Sequence, residues 1–201
     1  MTMQASTPLR QIAGLPATPA RLADSVLVLI DCQNTYRNGI MALEGVEPAL
    51  QQAAALLERA RAAGIPVFHI QHDAGPGSPY DIREKVGAIA DPVAPRAGEP
   101  VIVKNYPNSF IGTDLAERIQ ATGRQDVVLA GFMTHMCVNS TARGAFNLGL
   151  RPTVVAGATA TRNLPSPDGS VVPAAELQRA SLAALADLFA VVLPREADLP
   201  D

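Results

Sequence analysis

Three short stretches hold side chains that could cooperate in one reaction. Asp31 lies in LIDCQNTY, Lys104 in VIVKNYPNSF and Cys137 in LAGFMTHMCVNS, each just beyond an apolar run rich in β-branched residues. An acid, an ammonium and a thiol suit acyl transfer through a thioester. The thiolate is the nucleophilic form of cysteine, and a helix N-terminus or a nearby cation stabilises it. Cys137 is expected at the start of a helix, and Lys104 can supply the cation. A carboxylate beside the thiol can take its proton and later activate the water that clears the acyl-enzyme, the part open to Asp31. Backbone N–H groups in the turn 131–136 could hold the oxyanion, each donor contributing about 3 kcal/mol in acyl-transfer enzymes.

For these residues to meet, they must leave strands along one edge of a sheet. Six short apolar runs, at 25–30, 66–70, 101–103, 126–130, 153–156 and 189–193, fit buried strands. Helical patterns lie between them at 46–63, at 114–121 with Thr113 as N-cap, at 137–148, and at 173–188 with Pro173 in the first turn. Alternating β and α units imply parallel strands with right-handed crossovers. The expected fold is therefore α/β, a three-layer αβα sandwich with a mainly parallel, Rossmann-like six-stranded sheet. Ligands of such sheets bind beyond the carboxyl ends of the strands, where Asp31, Lys104 and Cys137 all stand.

The 201 residues suit one domain, without an internal repeat. Residues 1–22 read as an N-terminal arm and 194–201 as a C-terminal tail, either packed on a partner subunit or disordered. The stretch 73–100 is rich in Gly and Pro where a crossover helix would be expected, so it reads as a lid or a substrate-facing wall. A net charge of -3 offers no surface for nucleic acid. No apolar run approaches the roughly 18 residues that a membrane span needs, and the first twenty residues lack a basic-then-apolar leader. A cytoplasmic protein with a small-molecule substrate is expected. Its two cysteines, Cys32 and Cys137, make no disulfide framework.

With its three motifs in this order, LVLIDCQNTY, VIVKNYPNSFIGTDL and VVLAGFMTHMCVNSTARGAFNLG, the chain resembles the isochorismatase-like cysteine hydrolases. That family includes nicotinamidases, N-carbamoylsarcosine amidases and related amide hydrolases, and the resemblance spans residues 26–193. It implies that Asp31, Lys104 and Cys137 form a catalytic triad, that the Phe132–Met133 peptide is cis, and that the Met133 and Cys137 N–H groups hold the oxyanion. It also implies hydrolysis of an amide, imide, carbamoyl or ester bond without a cofactor, in a homo-oligomer of two or more subunits. Metal-dependent relatives carry an Asp and two or more His after the second strand. Here that region reads HIQHDAGPGS, and no metal is expected. Relatives that cleave a vinyl ether do not need the thiol, which leaves isochorismatase chemistry with Asp31 as the acid, or a non-catalytic assembly role, as alternatives. Gly157 stands where many relatives have an acidic residue.

Gln33 follows Asp31 by two residues, so it is expected on the same side of the strand, lining the site or forming a turn. Tyr36, Tyr106 and Phe110 could wall an apolar pocket, with Phe110 equally suited to the core. His72 and Asp73 fall at the rim, where either could contact substrate or metal. His69 reads as a satisfied core histidine and Cys32 as a core thiol. His135 either orients the turn before Cys137 or faces a neighbouring subunit. Asn108 and Ser109 either bind a carbonyl group or make a turn.

Overall fold

The computed structural model describes residues 4–201, so the first three residues of the expected N-terminal arm lie outside the described residues. Eight strands follow in order: β1 (Ser25–Ile30), β2 (Val67–His72), β3 (Val101–Lys104), β4 (Asp126–Phe132), β5 (Arg151–Ala160), β6 (Leu164–Pro165), β7 (Val171–Val172) and β8 (Val191–Leu193). The helices are α1 (Leu9–Ile12), α2 (Val46–Ala62), α3 (Leu115–Ala121), α4 (Asn139–Asn147) and α5 (Ala174–Asp187). Six strands form one sheet in the order β3-β2-β1-β4-β5-β8, and every pair in it is parallel. β6 and β7 make a separate two-stranded hairpin inside 163–172, a stretch whose Pro and Gly hid it in the sequence.

Alternation along the central strands feeds two cores. Leu27 and Leu29 of β1, with Val128 and Ala130 of β4, meet α2 on one face. Val26, Val28 and Ile30, with Val127 and Leu129, meet residues of α3, α4 and α5 on the other. α2 buries Val46, Ala49, Leu50, Ala53, Leu56, Leu57 and Ala60, the three-and-four spacing of a single helical stripe. Each fully buried Leu in that stripe contributes about 1.5–3 kcal/mol through removal of its surface from water.

Two glycines permit close backbone approaches near the carboxyl edge. Gly131 pairs with Ile30 at a φ of 120°, and a Cβ there would stand 2.0 Å from the Ile30 carbonyl oxygen. At Gly157 a Cβ would stand 2.8 Å from the Pro194 carbonyl oxygen, which the Gly157 N–H contacts at 2.8 Å. The chain thus uses this position to pack β5 against the segment after β8, which leaves no room for the acidic side chain of relatives. The pairing of β4 with β5 skips here, from Leu129 with Val154 to Gly131 with Thr159. This irregularity carries β5 well beyond the apolar run 153–156.

Both terminal segments make contacts with the body of this chain. The Leu9 N–H reaches Asp187 Oδ1 at 2.8 Å, and Arg10 Nη1 donates to Leu188 O at 2.9 Å. At the other end Leu199 is buried in the α2-side core. Arg59 clamps it there, donating to the carbonyls of Glu196 and Leu199 and to Asp201 Oδ1. No helix among the described residues is long and apolar enough to cross a membrane.

Candidate active site

β1 ends at Ile30, and Asp31 then takes a left-handed backbone conformation, φ 48°, which Asp tolerates better than most L-residues. The Gln33 N–H closes the turn onto Asp31 O at 2.7 Å. The strand's two-residue alternation therefore stops at Asp31. β3 delivers Lys104 as its last residue. β4 ends at Phe132, the Phe132–Met133 peptide is cis, and a π-helical turn, Thr134–Val138, carries Cys137.

These three elements converge. Lys104 Nζ stands 2.7 Å from Asp31 Oδ2 and 3.5 Å from Cys137 Sγ, and all three side chains are buried. Lys104 and Asp31 thus make a buried ion pair at the centre of the site. Burial raises the proton affinity of Asp31 against the pull of Lys104. The same burial, followed by the charge of Asp31, pushes the Cys137 thiol up to about 12, with Lys104 opposing. α4 begins at Asn139, two residues beyond Cys137, and desolvation of the thiol outweighs the opposing pull of the Lys104 cation. The resting group is a thiol beside a carboxylate with heightened proton affinity, a pair suited to transferring a proton as attack occurs.

His72, the last residue of β2, lies opposite Lys104 in the sheet register, and its Nδ1 is 3.2 Å from Lys104 Nζ. Asp73 turns instead to Arg83, which grips it with two contacts of 3.1 Å. Met133 and Cys137 stand at the start and within the turn, and the Met133 carbonyl accepts from the Met136 and Val138 N–H groups. His135 Nδ1 shares a 2.5 Å hydrogen bond with Thr161 Oγ1, tying that turn to the end of β5.

Several expected site residues have other work. Gln33 is wholly buried, and its amide serves backbone groups: Oε1 accepts from the His72 N–H, and Nε2 donates to His72 O and Gly87 O. Its amide is thus taken up by backbone groups of β2 and of the stretch 73–100. Phe110 is partly buried against the apolar cluster that includes Cys137, and Tyr106 is 58% exposed. Asn108 makes a turn, its Oδ1 accepting from the Phe110 N–H, while Ser109 is tied to Thr141 Oγ1 of α4. Tyr36 does stand beside the site, buried edge-on to Phe132 at 5.7 Å and to Tyr80 at 5.8 Å. Cys32 packs in the core, and His69 is buried against Glu99 at 3.0 Å, as expected.

The stretch 73–100 forms a wall stitched to the carboxyl edge of the sheet. Gln33 and Gln71 both donate to Gly87 O, Thr35 Oγ1 to Pro79 O and Val86 O, and Ala90 N–H to Cys32 O. This wall brings in Tyr80, which stacks edge-on to His72 with ring centres 4.9 Å apart. Sequence reasoning missed it, although Tyr80 is the one aromatic residue of the stretch. Thr134, whose buried hydroxyl has no partner among the described residues, was also missed.

The isochorismatase domain family matches residues 25–197 of the chain. A secreted isochorismatase effector of Verticillium dahliae is 35% identical, covering 92% of this chain and 95% of its own. A ureidoacrylate amidohydrolase of Stutzerimonas stutzeri is 30% identical, covering 72% of this chain and 75% of its own. The crystal structure of an isochorismatase from Pseudomonas putida KT2440 superposes with a TM-score of 0.93 at 37% identity, covering 97% of this chain and 100% of that one.

Proposed function

The chain belongs to the isochorismatase family of hydrolases, and from that premise we propose that it cleaves an amide, imide or carbamoyl C–N bond of a small molecule through an acyl-enzyme on Cys137. The observation that carries this reading is the buried meeting of Asp31, Lys104 and Cys137, an acid, a cation and a thiol within one contact shell. Asp31 takes the thiol proton as Sγ attacks the carbonyl carbon. Lys104 stays charged between them and offsets the negative charge wherever it sits, on carboxylate or on sulfur. The Met133 and Cys137 N–H groups hold the developing oxyanion. As the tetrahedral species collapses, the C–N bond breaks and Asp31 returns the proton to the leaving nitrogen. Water then gives a proton to Asp31 and attacks the thioester, releasing the acid and restoring the thiol. This scheme needs no cofactor.

Replacing Cys137 by Ala should abolish turnover of small amides, ureides and imides, ureidoacrylate among them, while leaving the fold intact. An Ala variant that still hydrolyses the preferred amide would sink the covalent scheme. A second reading is favoured by the similarity to the Verticillium effector: vinyl-ether cleavage with Asp31 as the acid and the thiol incidental. Isochorismate turnover that survives in Cys137→Ala separates the two.

A further inference from the structure

We propose that His72 is a positioning residue, its neutral Nδ1 taking the third proton of Lys104 and so fixing the ammonium between Asp31 and Cys137. The role rests on the triad reading above. An ammonium carries three donors and no acceptor. Lys104 Nζ has three acceptors around it, Asp31 Oδ2 at 2.7 Å, His72 Nδ1 at 3.2 Å and Cys137 Sγ at 3.5 Å. Since lysine cannot accept, His72 Nδ1 must, which places the ring proton on Nε2.

The imidazole is held for this from several sides. Its backbone N–H and carbonyl are both bonded to the Gln33 amide, at 2.9 and 3.0 Å. Its ring lies edge-on to Tyr80 of the wall, and its residue is the register partner of Lys104 on the neighbouring strand. The charged and titratable groups facing it are Lys104 from β3, Asp73 just beyond its own strand and Tyr80 from the wall, with Asp31 and Cys137 reached through Lys104. Burial and the Lys104 charge both oppose protonation of the ring and bring His72 down to about 4, which keeps Nδ1 an acceptor at neutral pH. Without that acceptor one ammonium proton would be left unpaired in a buried site, a costly state. Nζ would then settle on the carboxylate and draw away from sulfur, the weakest of the three acceptors.

The test uses p-nitrophenyl acetate, which reports on the thiol without knowledge of the natural substrate. Acylation of Cys137 is followed as the single-turnover release of p-nitrophenolate at pH 7. His72→Ala should slow this burst about tenfold, equivalent to a change of one unit in the proton affinity of the thiol. His72→Asn retains an acceptor oxygen where Nδ1 stood and should run within about threefold of wild type, the difference expected of one hydrogen bond with altered geometry. Rescue by Asn is the readout that a purely structural role would not move, since Asn also loses the stack on Tyr80. An Ala variant as fast as wild type, or an Asn variant as slow as Ala, overturns the role. A burst that persists in Cys137→Ala overturns the acyl-enzyme reading itself, and the part of His72 with it.

Discussion

Lys104 Nζ lies 2.7 Å from Asp31 Oδ2, and neither side chain is exposed to solvent. Removing one member of a buried pair leaves an uncompensated charge and typically costs about 3–5 kcal/mol, whereas removing both is often near neutral. Lys104→Met should therefore melt well below wild type, and adding Asp31→Asn should recover much of that loss while activity stays absent. A double-mutant cycle in urea measures the coupling. A double variant whose loss equals the sum of the two single losses would show that the pair carries no net interaction.

Acid should destabilise the fold in a window set by histidine. The chain has three, and burial lowers the proton affinity of each: His69, His72 and His135. Above their ordinary value of about 6.5 both folded and unfolded states are neutral, so they contribute no pH dependence. Below it the unfolded chain binds protons that the folded chain refuses, and stability falls as pH drops from about 6.5 toward the His72 value of about 4. Asp31 acts in the opposite sense, because its proton affinity is raised on folding. Thermal melts between pH 7.5 and 4.5 should show the decline, and His72→Asn should flatten part of it. A melting temperature that stays level across this range would contradict the assignment.

Gly131→Ala should be among the most damaging small changes. Its φ of 120° is strained for any L-residue, and the added methyl would meet the Ile30 carbonyl oxygen at 2.0 Å. Backbone strain and overpacking each cost about 1–3 kcal/mol. For a chain of this size a loss of about 3 kcal/mol lowers the melting temperature by roughly 6–12 °C. Because Ile30 directly precedes Asp31, hydrolysis should fall even in the folded fraction. Calorimetry on the purified variant decides the first point, and activity normalised to folded protein the second.

The parallel sheet was legible because its central strands, buried on both faces, appear as unbroken apolar runs, and because the chemistry-bearing residues follow the strand runs. What was illegible depended on three-dimensional circumstance. The left-handed turn at Asp31 breaks the alternation that assigned Gln33 to the site. Leu199 is a lone apolar residue in a charged tail, and only the distant Arg59 makes its burial intelligible. The proton affinity of Cys137 follows from how completely the fold excludes water from it, a quantity that no motif encodes. Tyr80 lies in a Gly/Pro-rich stretch with no periodicity to place it, and its position depends on stitches from Gln33, Thr35 and Gln71.

Those stitches grip backbone carbonyls, and the identity of the wall's own side chains scarcely enters into them. The Gly87 carbonyl is held at once by Gln71 of β2 and by Gln33 of the turn after β1. The wall is thus fastened through its main chain, and that fastening is what sets Tyr80 against His72.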